Sequence, residues 1–189
     1  MGVAERKMRE RGEREQRIIA AARAIAEREG WAAVTIRRLA TEIEYSQPVL
    51  YSHFENRDAI VTAVAVEGFG ELAAALRQAA QGSPDRRHAP EAVALAYLAF
   101  ASAHPALYEA MFTMPTALRF ADASTPDALK DAFAALAEVI PPSARDGEDT
   151  TETFWAALHG LAGLERSGRI RAGAREARVA LLVGGLIGG

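Results

Sequence analysis

Apolar side chains return every three or four positions along almost the whole chain, the period of one helix face. No stretch alternates apolar and polar residues with the β-branched and aromatic enrichment of a strand. The pattern predicts an all-α fold of nine helices. The first runs from about Arg14 to Glu29 with Ile18, Ala22 and Ile25 on one face, and Gly30 suits a left-handed helix end. Thr35 is placed to cap a short helix carrying Ile36, Leu39, Ala40 and Ile43, and Ser46 to cap another ending near His53. Asn56, the only asparagine, is placed to cap a long fourth helix from Asp58 to about Ala80, with Ile60, Val61, Val64, Leu72 and Leu76 inward.

Residues 81–90 read as a loop from their Gly, Ser and Pro content. A fifth helix is predicted from about Glu91 to Ala103, where Pro105 disfavours helical geometry at His104, and a short sixth follows to about Met114. Thr125-Pro126-Asp127 reads as a cap with proline in the first turn of a seventh helix reaching Ile140, which Pro141 and Pro142 end. The eighth spans about Thr151 to Glu165 and the ninth Arg175 to Ile187. No internal repeat is visible.

Composition narrows the class. A chain of 189 residues holds one domain, or one small module fused to a larger one. With 22 basic and 25 acidic side chains, no strongly basic surface announces nucleic acid, so any DNA site has to be local. Half the residues are hydrophobic, enough for a sizeable core, and 42 alanines favour helix. The absence of cysteine excludes disulfides, thiol nucleophiles and Cys-ligated metal. Arg outnumbers Lys 20 to 2, which a GC-rich coding genome explains without invoking DNA. The first residues lack the apolar core of a secretory signal, and the longest nearly apolar stretch, Val179 to Gly189, falls short of the ~20 residues of a membrane span. A cytoplasmic protein without a membrane partner is expected. Arg6, Lys7, Arg9, Arg11, Arg14 and Arg17 alternate with acids, which reads as a solvated extension of the first helix in preference to a DNA-contacting arm.

The informative stretch is Thr35 to Ile60, TIRRLATEIEYSQPVLYSHFENRDAI. Two short helices joined by about three residues have the layout of a helix-turn-helix, whose second helix lies in the major groove. Leu39, Leu50 and Phe54 fall at spacings that lock the two helices together. Thr35, Ser46, Tyr51, His53 and Arg57 offer donors near helix starts, suited to gripping phosphates, and for His53 an ordinary partly buried histidine is the alternative. Gln47 can pair with adenine and Arg37 with guanine, Val49 can touch a thymine methyl, and Pro48 sits in the first turn, where its missing N–H costs nothing.

Leu50-Tyr51-Ser52-His53-Phe54, followed by Arg57-Asp58-Ala59-Ile60, closely resembles the DNA-binding region of the TetR family of transcriptional repressors. With the preceding helix, the resemblance covers about a quarter of the chain. It implies a helix-turn-helix domain over residues 1–56 and a helical ligand-binding and dimerisation domain over 57–189. Glu44 takes the turn position where the family most often has Gly, which predicts either backbone strain or a slightly different turn. Trp155-Ala156-Ala157-Leu158-His159-Gly160 resembles the Trp-x-x-x-His-Gly signature of one TetR ligand-domain subgroup, and residues 104–112 are typical of the same subgroup.

Aromatic and sulfur side chains concentrate between the fifth and eighth helices. Tyr97, Phe100, Tyr108, Met111, Phe112, Phe133 and Trp155, with His104 and His159 as polar groups, suit a cavity for a hydrophobic effector, and equally a plain core. Leu158, Leu161, Ala162 and Glu165 on the eighth helix, with Val179, Leu182, Val183 and Leu186 on the ninth, form a stripe expected to make a homodimer, with Gly184, Gly185 and Gly188 permitting close approach. No nucleophile elbow, phosphate-binding glycine loop or metal-binding helix motif supports an enzyme, and the four His fall in separate elements. No catalytic residue, metal or cofactor is expected. A helical adaptor without DNA activity would need a degenerate recognition helix, against which Gln47, Tyr51, His53 and Arg57 argue. The resulting expectation is a ligand-responsive regulator, a repressor, that binds double-stranded operator DNA, a small-molecule effector and a second copy of itself.

Overall fold

A computed structural model describes residues 2–116, 118–120, 122–141 and 147–187. Pro142 and Gly188 lie outside the described residues. Among those described there are nine α-helices and no strand: α1 (Val3–Glu29), α2 (Ile36–Glu42), α3 (Gln47–His53), α4 (Arg57–Gln81), α5 (Ala89–Ala103), α6 (Pro105–Phe112), α7 (Asp127–Ala137), α8 (Gly147–Arg166) and α9 (Arg175–Leu186). One 3-10 turn, Trp31–Ala33, joins α1 to α2.

The boundaries show which local signals prevail. α1 begins at Val3, well before Arg14, because pairs one turn apart carry it through a segment without apolar period: Arg6–Glu10 at 3.6 Å, Arg9–Glu13 at 3.7 Å and Arg11–Glu15 at 2.9 Å. Gly30 ends α1 at φ 81°, ψ 163°, a positive-φ but extended geometry in place of the expected left-handed helical one, and open in practice to glycine alone. Asn56 caps α4 as predicted, its Oδ1 accepting Ala59 N–H at 2.9 Å. α7 stops at Ala137, short of Ile140, and its capping position is Pro126, without a side-chain bond.

By packing, the chain divides into two units, Met1–Gly68 with His104–Asp122, and Phe69–Ala103 with Ala123–Gly189. α4 contributes its first half to one and its second half to the other. In the first unit Ile18, Ala22 and Ile25 of α1 are buried with Leu39, Leu50, Ile60, Val64, Leu107 and Met111. α6 belongs here because α1 holds its start: Glu27 accepts the N–H groups of Ala106 and Leu107, and the Trp31 indole donates to Ala106 O at 2.8 Å. α4 approaches α6 so closely that a Cβ at Gly68 would stand 2.7 Å from Leu107 Cδ1 and 2.8 Å from Met111 Sδ. In the second unit α8 and α9 both pack on α5, burying Tyr97, Leu98, Phe154, Leu158, Val179 and Val183.

α4, not the chain's last stretch, is the described helix long and apolar enough to cross a membrane, yet half of its most apolar window is buried within the protein, as in a core helix.

Candidate nucleic-acid interface

The interface is built by one side-chain cap and a strained turn. Thr35 precedes α2 in extended geometry and its Oγ1 accepts Arg38 N–H at 3.1 Å, fixing where α2 starts. α2 ends in a left-handed residue, and that residue is Glu44, at φ 56°. Tyr45 N–H returns to Ala40 O at 2.9 Å and Ile43 N–H to Leu39 O at 3.1 Å, the wrap that closes a helix end when the residue between is left-handed. Glu44 therefore keeps the turn that glycine would make and carries the strain itself. Ser46 occupies the capping position of α3, but its side chain makes no capping bond, so that expected role is not seen; the hydroxyl is exposed. Pro48 stands in the first turn.

Leu39 and Leu50 are fully buried and lock α2 to α3, while Phe54 is only half-buried. The opposite faces stay open. Thr35, Arg37, Ser46, Gln47 and Pro48 are exposed, Val49 is half-buried, and Tyr51 is 53% exposed, one of the largest apolar surfaces left in solvent. A rigid pair of helices thus presents amide, guanidinium and hydroxyl groups around the free N–H groups of two helix starts, the donor set that phosphates and base edges accept.

Two donors expected at phosphates have partners within the chain. The His53 side chain is 6% exposed and its Nδ1 lies 3.2 Å from Glu15 Oε1. That hydrogen bond, with Arg11 beside it, holds the Glu15 carboxyl below its usual range. The Arg57 guanidinium donates to Val34 O and Trp31 O, both at 2.7 Å, tying the start of α4 to the two ends of the 3-10 turn. Both residues hold elements in place; the turn of each side chain toward an internal acceptor leaves its donor atoms for the fold. Period and motif missed Arg17, which donates to the Tyr45 hydroxyl at 3.3 Å, and Arg38, which bridges Glu29 at 3.2 Å and Glu42 at 3.3 Å.

The aromatic set expected to meet an effector divides between the units. His104, Tyr108, Met111 and Phe112 lie in the first, where Tyr108 and Phe112 are 4.7 Å apart by ring centroid and His104 Nδ1 is 3.4 Å from Arg23. Tyr97, Phe100, Phe133, Trp155 and His159 lie in the second. There the Trp155 indole donates to the Tyr97 hydroxyl at 3.2 Å and meets Phe133 edge-on at 6.4 Å. His159 is held below its usual pKa by burial first and by Arg166 second, so it is neutral at pH 7. Glu67 of α4 buries Oε1 without a hydrogen-bond partner.

The expected dimer stripe is divided. Leu158, Ala162, Val179 and Val183 are buried within the chain, and Leu161, Leu182 and Leu186 are half-buried. Glu165 binds Arg175 at 2.7 Å and Arg178 at 3.2 Å. The open face is one helical step round, with Leu164 41% and Leu181 77% exposed among Ala156, Gly160, Ala177, Ala180, Gly184 and Gly185. A cleft of about 510 Å³ is lined by Glu165, Ile170, Arg171, Arg175 and Glu176 and by none of the aromatic set. Among the described residues no three metal-binding side chains come together.

The fold and this interface define a helix-turn-helix regulator. Residues 18–64 match the family of bacterial regulatory proteins named for tetR, and residues 90–185 match the tetracyclin repressor-like C-terminal domain. The chain belongs to the TetR family of DNA-binding transcriptional regulators. It is 32% identical over 154 residues to the HTH-type transcriptional regulator Rv0681 of Mycobacterium tuberculosis, covering 80% of this chain and 69% of that protein. A protein of unknown function from Rhodococcus sp. RHA1 shares the fold with a TM-score of 0.75 at 25% identity, covering 92% of this chain and 95% of its own. FadR of Bacillus subtilis, solved with stearoyl-CoA, has a TM-score of 0.66 at 12% identity, over 92% of this chain and 98% of its own.

Proposed function

We propose that this chain is a cytoplasmic, ligand-responsive repressor that binds a palindromic operator as a homodimer and is released by a small hydrophobic effector. The observation that carries the DNA half is the exposed row of Thr35, Arg37, Ser46, Gln47, Pro48 and Tyr51 on a packed helix pair. Gln47, Arg37 and Val49 read bases; Thr35, Ser46 and Tyr51 grip phosphates; His53 and Arg57 hold the pair that presents them. DNA contact belongs to residues 1–56, and ligand contact and dimerisation to 57–189.

The effector reading rests on the aromatic group of the second unit, where Trp155 meets Tyr97 and Phe133, and on His159, which is neutral, half-buried and one helical turn from Trp155. Apolar surroundings with sparse polar groups are what a small-molecule site needs. The Trp155-to-Gly160 segment places the chain, on this reading, in the Trp-His-Gly subgroup. The exposed Leu164 and Leu181 supply the dimer face. An effector that cuts operator affinity a hundredfold must prefer the non-binding state by roughly 2.7 kcal/mol, an ordinary allosteric coupling.

The test is retention of genomic fragments at low salt, followed by a screen of apolar and amphipathic compounds for release. Retention and release by at least one compound that also raises the melting temperature support the reading. Retention unaffected by every compound removes the effector half, and no retention at all leaves a helical adaptor.

A further inference from the structure

The wheel of α1 sorts charges that the sequence interleaves. Ile18, fully buried, marks the direction in which α1 faces the helix-turn-helix. At about 100° per residue, Lys7, Arg11 and Arg14 fall within about 40° of that direction, whereas Glu5, Glu10 and Glu13 stand about 80° or more away. Glu15, about 60° off, is the one acid near the stripe. It is already occupied by Arg11 at 2.9 Å and by His53 at 3.2 Å. Arg6 and Arg9 pair with Glu10 and Glu13 on the far side. The near face is left basic and exposed.

Its position relative to the recognition helix is fixed. Arg11 Nη2 donates to Ser52 O, near the end of α3, at 3.4 Å, and Arg17 reaches Tyr45 in the turn before α3. The stripe therefore continues from α3, which presents Gln47 and Tyr51, out along four further turns of helix that precede the segment matching the family.

We propose that the start of α1 is a second DNA-contacting element, in which Lys7 and Arg14 sit on backbone phosphates flanking the half-site that α3 reads, with Arg11 positioning the helix through Ser52. The proposal rests on the DNA-binding reading of α3 and lengthens its footprint. Duplex DNA is the occupant because the face is cationic and continuous with the helix that reads DNA, while the exposed Val3 and Met8 of the same segment stand about 60° and 80° from the stripe's direction. The contacts carry no base information, so they add affinity and salt dependence without changing the preferred sequence.

The test compares the wild-type protein with Lys7→Ala/Arg14→Ala and with Arg6→Ala/Arg9→Ala, which removes the same charge from the far side. Each is titrated by anisotropy against a duplex selected from a random library by the wild-type protein, between about 50 and 200 mM salt. The near-face variant is expected to lower the slope of log affinity against log salt by roughly 0.9 for each charge that leaves a phosphate. It should also lose footprint protection at the flanks while keeping the same selected sequence and melting temperature. The far-face variant should keep the wild-type slope. Equal slopes for all three, or equal losses in both variants, overturn the arm while leaving α3 intact as the reader. A wild-type protein that selects no duplex overturns the arm together with the reading beneath it.

Discussion

The carboxylate of Glu27 accepts the backbone N–H of Leu107 at 3.0 Å, and its second oxygen accepts the neighbouring Ala106 N–H at 3.1 Å. These are orphan donors of the first turn of α6, capped by a side chain from 80 positions earlier because His104, the local capping position, makes no such bond. Glu27→Ala should cost about 1 to 2 kcal/mol of unfolding free energy in urea titration, and Glu27→Gln, which keeps one acceptor, less. Equal stability of Glu27→Ala and wild type would mean that water caps α6 as well as the carboxylate does.

Glu44 predicts a gain. Holding a residue with a Cβ at φ 56° costs on the order of 1 kcal/mol, and the exposed side chain also sets a negative charge in the turn between α2 and α3. Glu44→Gly should raise stability by up to about 1 kcal/mol, since glycine's greater unfolded-state freedom offsets part of the relief, and should tighten DNA binding at low salt. Calorimetry and anisotropy read the two effects separately.

These two residues also mark how much the sequence disclosed. The glycine-like turn at Glu44, the Thr35 and Asn56 caps and the nine helices were legible because caps, turns and helical period act within four residues. The inward use of His53 and Arg57 was not, because their partners Glu15 and Trp31 lie 38 and 26 positions away. A donor near a helix start looks alike whether it serves phosphate or carbonyl. Which apolar residues of α8 and α9 turn inward was hidden for a different reason: residues 154–164 and 179–186 are apolar or small apart from His159, so period alone does not say which side meets α5. The early start of α1 agrees with the solvated extension read from the alternating charges at 6–17; its support is ionic, so no apolar stripe marks where it begins.

The exposed and buried faces of α8 and α9 allow association to be tested apart from folding. Leu181→Asp, at an exposed position, should leave the melting curve of the dilute protein nearly unchanged and yield monomers in sedimentation. Leu158→Asp, which buries a charge, should unfold the second unit. A dimer that survives Leu181→Asp together with Leu164→Asp would place the interface elsewhere.

His159 gives the second unit an acid sensitivity. Its folded pKa is depressed, so the unfolded chain takes up the proton first. The stability this provides is complete above the unfolded value near 6.5 and is lost as pH falls below it toward the folded pKa. His159→Gln should flatten the stability curve across that window and leave the steeper losses at carboxylate pH, to which Glu15 contributes, unchanged. An identical acid profile would show that His159 titrates alike in both states.

The central claim is that α3 reads DNA through Gln47 while Tyr51 grips the backbone. It is tested most directly by measuring, at one salt concentration, the affinities of wild type, Gln47→Ala and Tyr51→Phe for a selected duplex and for all its single-base variants. The account predicts a loss of roughly 1 to 3 kcal/mol for Gln47→Ala on the selected duplex with relaxed preference at particular base pairs, and a nearly uniform loss for Tyr51→Phe. A uniform loss for Gln47→Ala on every sequence, or no preference by the wild-type protein for the selected duplex, would contradict it.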